Sequence, residues 1–172
     1  MGKWELGKVT TITMGQSPSS ETYNADGVGL PFYQGKADFG LVYPSVRVYC
    51  NQPQKVAQAN DVLISVRAPV GATNIADKNC CIGRGLAAIT AIEDITFYKY
   101  IYYYLAYCER YIESLGVGST FKAISRKDLE TIQIPLPPLH IQQKIAGILD
   151  RASALIEKRN AQIEKLDLLV KS

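Results

Sequence analysis

The stretch IPLPPLHIQQKIAGILD, residues 134–150, decides how this chain is read. It opens as an apolar run studded with Pro135, Pro137 and Pro138 and ends as the first turns of a helix. Proline holds φ near −65° and lacks an N–H, so it suits a strand edge or the first helical turn and breaks anything else. The spacing predicts a strand over TIQIPL (131–136) and a helix from about Pro138 to the C-terminus.

That helix carries the clearest pattern in the sequence. Ile145, Leu149, Ala152, Ile156, Ile163, Leu166 and Val170 alternate at four and three residues, with Arg159 in the one missing place. Such spacing marks a coiled-coil seam. A second heptad line runs beside it through Ile141, Ile148, Leu155 and Leu169, with Gln162 in its gap. The apolar face is therefore wider than one two-stranded seam requires. Thirty-odd helical residues project roughly 50 Å at 1.5 Å per residue, farther than a domain of this size is wide. The helix is expected to pack against something beyond its own globular part.

Upstream, residues 1 to about 95 read as short strands separated by turn residues. WELGKVTTITMG (4–15) is strand-like, and GQSPSSETYNADGVGLP (15–31) is a polar loop. DVLISVRAPVGATNIA and CCIGRGLAAITAI read as two further strands, each with one arginine in an apolar setting. A helix is expected from about Ile95 to Leu115, with Phe97, Ile101, Leu105, Cys108, Ile112 and Leu115 facing the core. The tyrosines crowded along it are read as rings wrapping a small β-rich core, hydroxyls to water, with base stacking as the alternative. Ser125 followed by Asp128 predicts a short capped turn at 125–131.

The 172 residues suffice for one domain with an appendage, and the net charge of +3 is compatible with nucleic acid without requiring it. No stretch reaches the ~18 apolar residues of a membrane span, and the opening residues do not read as a leader, so no membrane association and a cytoplasmic location are expected. Cys50, Cys80, Cys81 and Cys108 lack zinc-type spacing and are expected as reduced thiols; no metal or cofactor is expected. An enzyme is disfavoured. The single histidine, His140, stands at the start of the long helix without a nucleophile or carboxylate pattern around it, and no P-loop or methyltransferase signature is present.

GSTFKAISRKDLETIQIPLPPLHIQQKIAGILD (118–150) closely resembles the end of a target-recognition domain and the start of the conserved spacer helix in specificity subunits of type I restriction–modification systems. WELGKV, GQSPS, LPFYQGK, DVLISVRAPVG and IGRGLAAI agree with the same family, so the resemblance covers essentially the whole chain. One departure is Ile141, where the family commonly has Glu before the Gln of this motif. The resemblance implies an α+β fold: a small β-rich target-recognition domain with packed helices over 1–136, then a long coiled-coil-type spacer and dimerisation helix over 137–172. Full subunits carry two of each; this chain has one of each, as a natural half-subunit or a truncated product would.

The resemblance further implies a non-catalytic protein that reads a few base pairs of double-stranded DNA. Its helix would dock methyltransferase subunits and, through them, the restriction subunit. With one copy of each part, a homodimer through the helix is expected, reading a symmetric bipartite target. Loop amide, hydroxyl and basic side chains are the candidates for DNA contact: Gln16, Ser17, Ser19, Gln34, Lys36, Arg67, Arg84, Thr120, Lys122 and Arg126. Arginine can pair bidentately with guanine and glutamine with adenine. Each has a plainer reading: Gln16, Ser17 and Ser19 as turn-formers, Lys36 as a solvated lysine, Arg67 and Arg84 as partners of a carboxylate. The competing function is an interaction module or anti-restriction decoy that pairs through its helix without binding DNA.

Overall fold

A computed structural model describes residues 2–118 and 122–170, with side chains to 166. In chain order the first strands are β1 (Lys3–Glu5), β2 (Thr10–Met14), β3 (Tyr23–Asn24), β4 (Leu30–Tyr33), β5 (Tyr49–Cys50) and β6 (Val56–Ala57). They are followed by β7 (Val62–Ser65), β8 (Thr73–Ile75), β9 (Cys80–Ile82), β10 (Leu86–Ala91) and β11 (Gln133–Pro135). The helices are α1 (Leu6–Val9), α2 (Tyr98–Tyr107), α3 (Glu109–Leu115), α4 (Arg126–Glu130) and α5 (Leu139–Val170).

Three sheets result. One has the order β2-β10-β7-β8, a second β3-β5-β4-β9-β6, and a third is the pair β1-β11. Every pairing is antiparallel except β4 with β9. The two central strands explain the continuous apolar runs DVLIS and LAAI. Successive side chains of a strand point to opposite faces, so a strand buried on both faces has no polar alternation. Val62, Ile64, Ala87 and Ile89 enter one core with Leu6, Ile101, Leu105, Ile112, Leu129 and Ile134. Leu63, Leu86 and Ala88 enter a second core with Tyr33, Cys80 and Ile82.

The same alternation settles the adjacent cysteines. Cys80 belongs to the second core, whereas Cys81 joins Phe32 and Cys50 in a third cluster, so the two thiols leave the strand on opposite sides. All four cysteines are free. Burial pushes the Cys80 thiol up to about 12 and the Cys81 thiol up to about 11, and such thiols are inert.

Several local expectations need correction. The two stretches each read as one strand hold two apiece, β7 and β8 in DVLISVRAPVGATNIA and β9 and β10 in CCIGRGLAAITAI, because turns at 66–72 and 83–85 interrupt them. The opening is not one strand: Leu6–Val9 forms a helical turn that drops Leu6 and Val9 into the core, with the Leu6 N–H donating to the Ile132 carbonyl at 2.8 Å. The helix expected over 95–115 starts three residues later and is broken at Cys108, whose ψ of 4° ends α2 and begins α3. Thr96 explains the late start. Its hydroxyl accepts the Ile92 N–H at 2.9 Å and donates to the Val9 carbonyl at 3.2 Å, holding 92–96 as a turn.

Three of the tyrosine hydroxyls depart from expectation, while Tyr107 and Tyr111 are exposed as expected. Tyr100 donates to the Pro135 carbonyl at 2.7 Å, Tyr104 to the Gln133 carbonyl at 2.6 Å, and Tyr103 to Asp150 at 2.8 Å. These rings brace the strand and helix on either side of the proline junction rather than wetting their hydroxyls. The capped turn stands as read. Ser125 Oγ accepts the Asp128 N–H at 3.3 Å while Asp128 accepts the Ser125 N–H at 2.7 Å.

The junction itself is built on β1-β11 pairing, which ties residues 3–5 to 133–135. Pro138 caps α5 from outside: its carbonyl accepts the Ile141 and Gln142 N–H groups at 2.8 and 3.1 Å. Gln142 is fully buried. Its amide oxygen accepts the Phe97 N–H at 2.9 Å, and its amide nitrogen donates to the carbonyls of Ile95 and Pro137, each at 2.9 Å. One side chain thereby satisfies three backbone groups on both sides of the α2–α5 contact, groups that would otherwise be costly to bury. Farther along, Asp150 receives Lys99 Nζ at 2.6 Å as well as Tyr103. Among the described residues no helix is long and apolar enough to cross a membrane.

Candidate nucleic-acid interface

Five chain segments converge where the central strands end. Val66 N–H donates to the Gly85 carbonyl at 2.9 Å, Gly15 N–H to Leu86 at 2.9 Å, and Gln16 N–H to Ile82 at 3.0 Å. Gly83 N–H donates to the Tyr33 carbonyl at 2.8 Å, and Ala68 N–H to Lys122 at 3.0 Å. Arg84 N–H reaches Ser17 Oγ at 3.2 Å, and Ser65 Oγ donates to the Arg67 carbonyl at 2.8 Å. Loops cross-linked in this way present side chains from fixed backbone, which costs little further entropy on binding.

Between them lies a cleft of about 160 Å³ lined by Ser17, Gln34, Gly35, Lys36, Ser65, Arg67, Ala68, Arg84 and Gly85. It continues through Arg67 and Ala68 into a wider depression of about 470 Å³ that adds Lys122 and Ala123. Six of the ten residues singled out from sequence therefore meet here: Ser17, Gln34, Lys36, Arg67, Arg84 and Lys122. Among the described residues no carboxylate lines either hollow. Nor does one form an ion pair with any of these four cations. The arginines do not sit inside apolar strands, as their neighbours suggested. Arg67 follows β7, Arg84 occupies the turn between β9 and β10, and both are exposed. Three cations without an ion pair beside a glutamine, with Lys122 in the adjoining depression, form a surface suited to a polyanion whose edges offer hydrogen-bond partners.

The remaining candidates stand apart. Gln16 is exposed beside Ser17 but does not line the cleft. Ser19 uses its carbonyl to accept the Thr22 N–H and hydroxyl, closing a short 3-10 turn over 20–22. Arg126 is paired with Glu130 at 2.7 Å along α4. Thr120 lies outside the described residues.

Two residues that sequence reasoning passed over shape the cleft wall. Asp38 is buried, and its Oδ2 accepts the Gln34 N–H at 2.7 Å and the Gly35 N–H at 3.4 Å. Its Oδ1 receives Arg47 Nε at 2.9 Å and the Arg47 terminal nitrogen. Gly85 supplies the opposing wall: a Cβ there would lie 2.2 Å from the Gln34 carbonyl oxygen, so only glycine allows the two loops to touch. A buried acid nine residues from its arginine leaves no periodic signal in sequence.

The helix presents a second surface. Ile145 packs against the main core and Ile141 is half-buried, but beyond them the seam opens. Ile148, Leu149, Leu155, Ile156, Ile163 and Leu166 are between 36% and 61% exposed, and Ala152 is exposed beside them. The side chains of Leu169 and Val170 lie outside the described set. Arg159 and Gln162, which interrupt the two lines, face one another: Arg159 Nη1 donates to Gln162 Oε1 at 3.1 Å.

Residues 1–165 match the model of the type I restriction modification DNA specificity domain. A putative type I restriction enzyme MjaX specificity subunit from Methanocaldococcus jannaschii is 52% identical over 166 residues, which cover 94% of this chain and 39% of that protein. A solved chain from work on complex assembly and conformational transition of the type I R-M system superposes with a TM-score of 0.87 and 49% identity, covering 95% of this chain and 41% of that one. The HsdS subunit from Thermoanaerobacter tengcongensis gives 0.81 and 48%, covering 91% and 38%. The chain spans about two fifths of the length of these relatives. The α+β fold of this chain, long helix included, thus matches solved structures of type I systems, one of them an HsdS subunit. The chain belongs to the type I restriction modification DNA specificity family.

Proposed function

We propose that residues 1–136 read one half of a bipartite duplex DNA target and that residues 137–172 form the mount joining this reading unit to its partners. The cleft, free of carboxylates among the described residues, carries the proposal: Lys36, Arg67 and Arg84 line it with Gln34, and Lys122 lines the adjoining depression, on loops locked by backbone hydrogen bonds. In this reading the lysines hold phosphates and fix register, while Gln34 and the arginines address base edges. The protein itself performs no chemistry.

The exposed stripe of α5 supports the second half of the proposal. It pairs with the stripe of a second copy, giving a homodimer that reads a symmetric two-part target, and its remaining apolar surface docks methyltransferase subunits and through them the restriction subunit. Binding to a cognate duplex as a function of salt tests the DNA reading. A steep negative log–log slope is expected, flattened by about one unit in Lys36→Ala or Lys122→Ala. Binding that ignores salt would remove the DNA reading and leave an interaction module that works through the helix alone. Methylation of a bipartite duplex on adding methyltransferase subunits tests the docking.

A further inference from the structure

Among the described residues Gln34 is the one amide side chain on the cleft wall, and its backbone is held from two directions. On one side the Asp38 carboxylate accepts its N–H at 2.7 Å and that of Gly35 at 3.4 Å. On the other, its carbonyl oxygen rests against Gly85, where no Cβ would fit. Asp38 is itself fixed: its backbone N–H donates to the Gly35 carbonyl at 3.0 Å, its carbonyl accepts the Ser45 N–H at 2.8 Å, and Arg47 neutralises its charge. Asp38 is almost wholly buried and does not line the cleft. A buried carboxylate is retained only where its interactions repay the desolvation it suffers. Here the repayment goes into the two peptide groups that set where the Gln34 side chain leaves the loop.

We infer that Asp38 is a specificity-positioning residue. It touches no base and no phosphate, yet through Gln34 it governs which base pair is accepted at one place in the half-site. The inference rests on the DNA reading above and assigns it a residue beyond the contact surface. A bidentate amide–base pair tolerates errors of only tenths of an ångström, so loss of the Asp38 anchor degrades this contact while leaving the point-charge phosphate contacts of Lys36 and Lys122 in place.

The test uses the full chain and a pool of randomised duplexes. Sequences enriched by the unsubstituted protein define its preferred half-site. Each base pair is then changed in turn, and binding is compared for the unsubstituted protein, Gln34→Ala, Asp38→Asn, Arg47→Gln and the double variant Gln34→Ala/Asp38→Asn. Gln34→Ala is expected to lose roughly tenfold discrimination at one position. Asp38→Asn is expected to lose about three- to tenfold at that same position and to keep discrimination elsewhere. The double variant is expected to be no worse there than Gln34→Ala, because the two act as one unit. Arg47→Gln alters a mostly exposed side chain, carries little risk to folding, and should give a smaller loss at the same position; it decides the matter if Asp38→Asn does not fold.

A loss spread evenly over all positions overturns the inference, as does a loss at a position that Gln34→Ala leaves intact. Unchanged discrimination in Asp38→Asn, or in Arg47→Gln where only that variant folds, overturns it too. If the unsubstituted protein enriches no sequence, the DNA reading itself falls and takes this inference with it, a result readily told apart from the others.

Discussion

Replacing Gln142 by methionine keeps the side-chain length while deleting every hydrogen bond it makes. The wild-type amide is fully buried and satisfies Phe97 N–H and the carbonyls of Ile95 and Pro137, all at 2.9 Å. Each bond contributes ~0.5–1.5 kcal/mol net, and a buried group left without a partner costs ~1–3 kcal/mol. Ile95 is exposed and Phe97 half-buried, so both can recover water, whereas Pro137 is buried and cannot. Three lost bonds with one orphaned carbonyl place Gln142→Met at about 3 kcal/mol of destabilisation. For a chain of 172 residues that corresponds to a fall in Tm of roughly 6–12 °C. Denaturant unfolding measures the loss, and amide hydrogen exchange at Phe97 locates it, because that N–H loses its acceptor directly. A loss below about 1 kcal/mol with the Phe97 amide still protected would refute the claim that this side chain fastens the helix.

Asp150 offers a pH test. Burial raises its pKa, but the hydrogen bonds from Lys99 and Tyr103 and the Lys99 charge outweigh this and hold the carboxyl below the usual range. A depressed folded pKa contributes stability above the unfolded value and loses it as pH falls through the folded one. Asp150→Asn should therefore be less stable than wild type at pH 7, the gap closing as pH drops below about 4 in parallel unfolding curves. Leu155→Glu with Ile156→Glu alters two side chains that are more than half exposed, so stability of the monomer should move by no more than ~0.5 kcal/mol while self-association in sedimentation is lost. An intact chain that sediments as a monomer at tens of micromolar would leave that association nothing to lose. Gly85→Ala places a Cβ 2.2 Å from the Gln34 carbonyl oxygen and should cost ~1–3 kcal/mol in thermal unfolding.

What was legible in the sequence followed from local chemistry. The proline cluster announced the strand end and the helix start, the four-three spacing announced the apolar stripe along α5, and Ser125 with Asp128 announced its own capping box. The apolar stretches from 61 and from 80 announced strands, though not that each holds two, nor the two separate cores that alternate residues of β7 and β10 enter. What stayed hidden depends on partners distant in the chain. Gln142 reads as an ordinary polar residue on the first helical turn until Ile95 and Phe97 are brought against it. Asp38 reads as a loop acid until Arg47 and the Gln34 N–H close on it. The loop residues that converge on the cleft could be chosen by type. Their convergence, and the separation of Ser19 and Arg126 from them, arises from strand order.

The foot of α5 acts as the pivot of a lever. Twenty-eight residues follow Gln142 to Val170, about 42 Å at 1.5 Å per residue. A tilt of about 5° at that pivot would carry the far end sideways by roughly 3.7 Å, close to the ~3.4 Å rise of one base pair. Three hydrogen bonds around one buried amide thus set an angular tolerance. On the proposed reading, a loose Gln142 would blur the distance between two reading heads by a full base pair without altering either head.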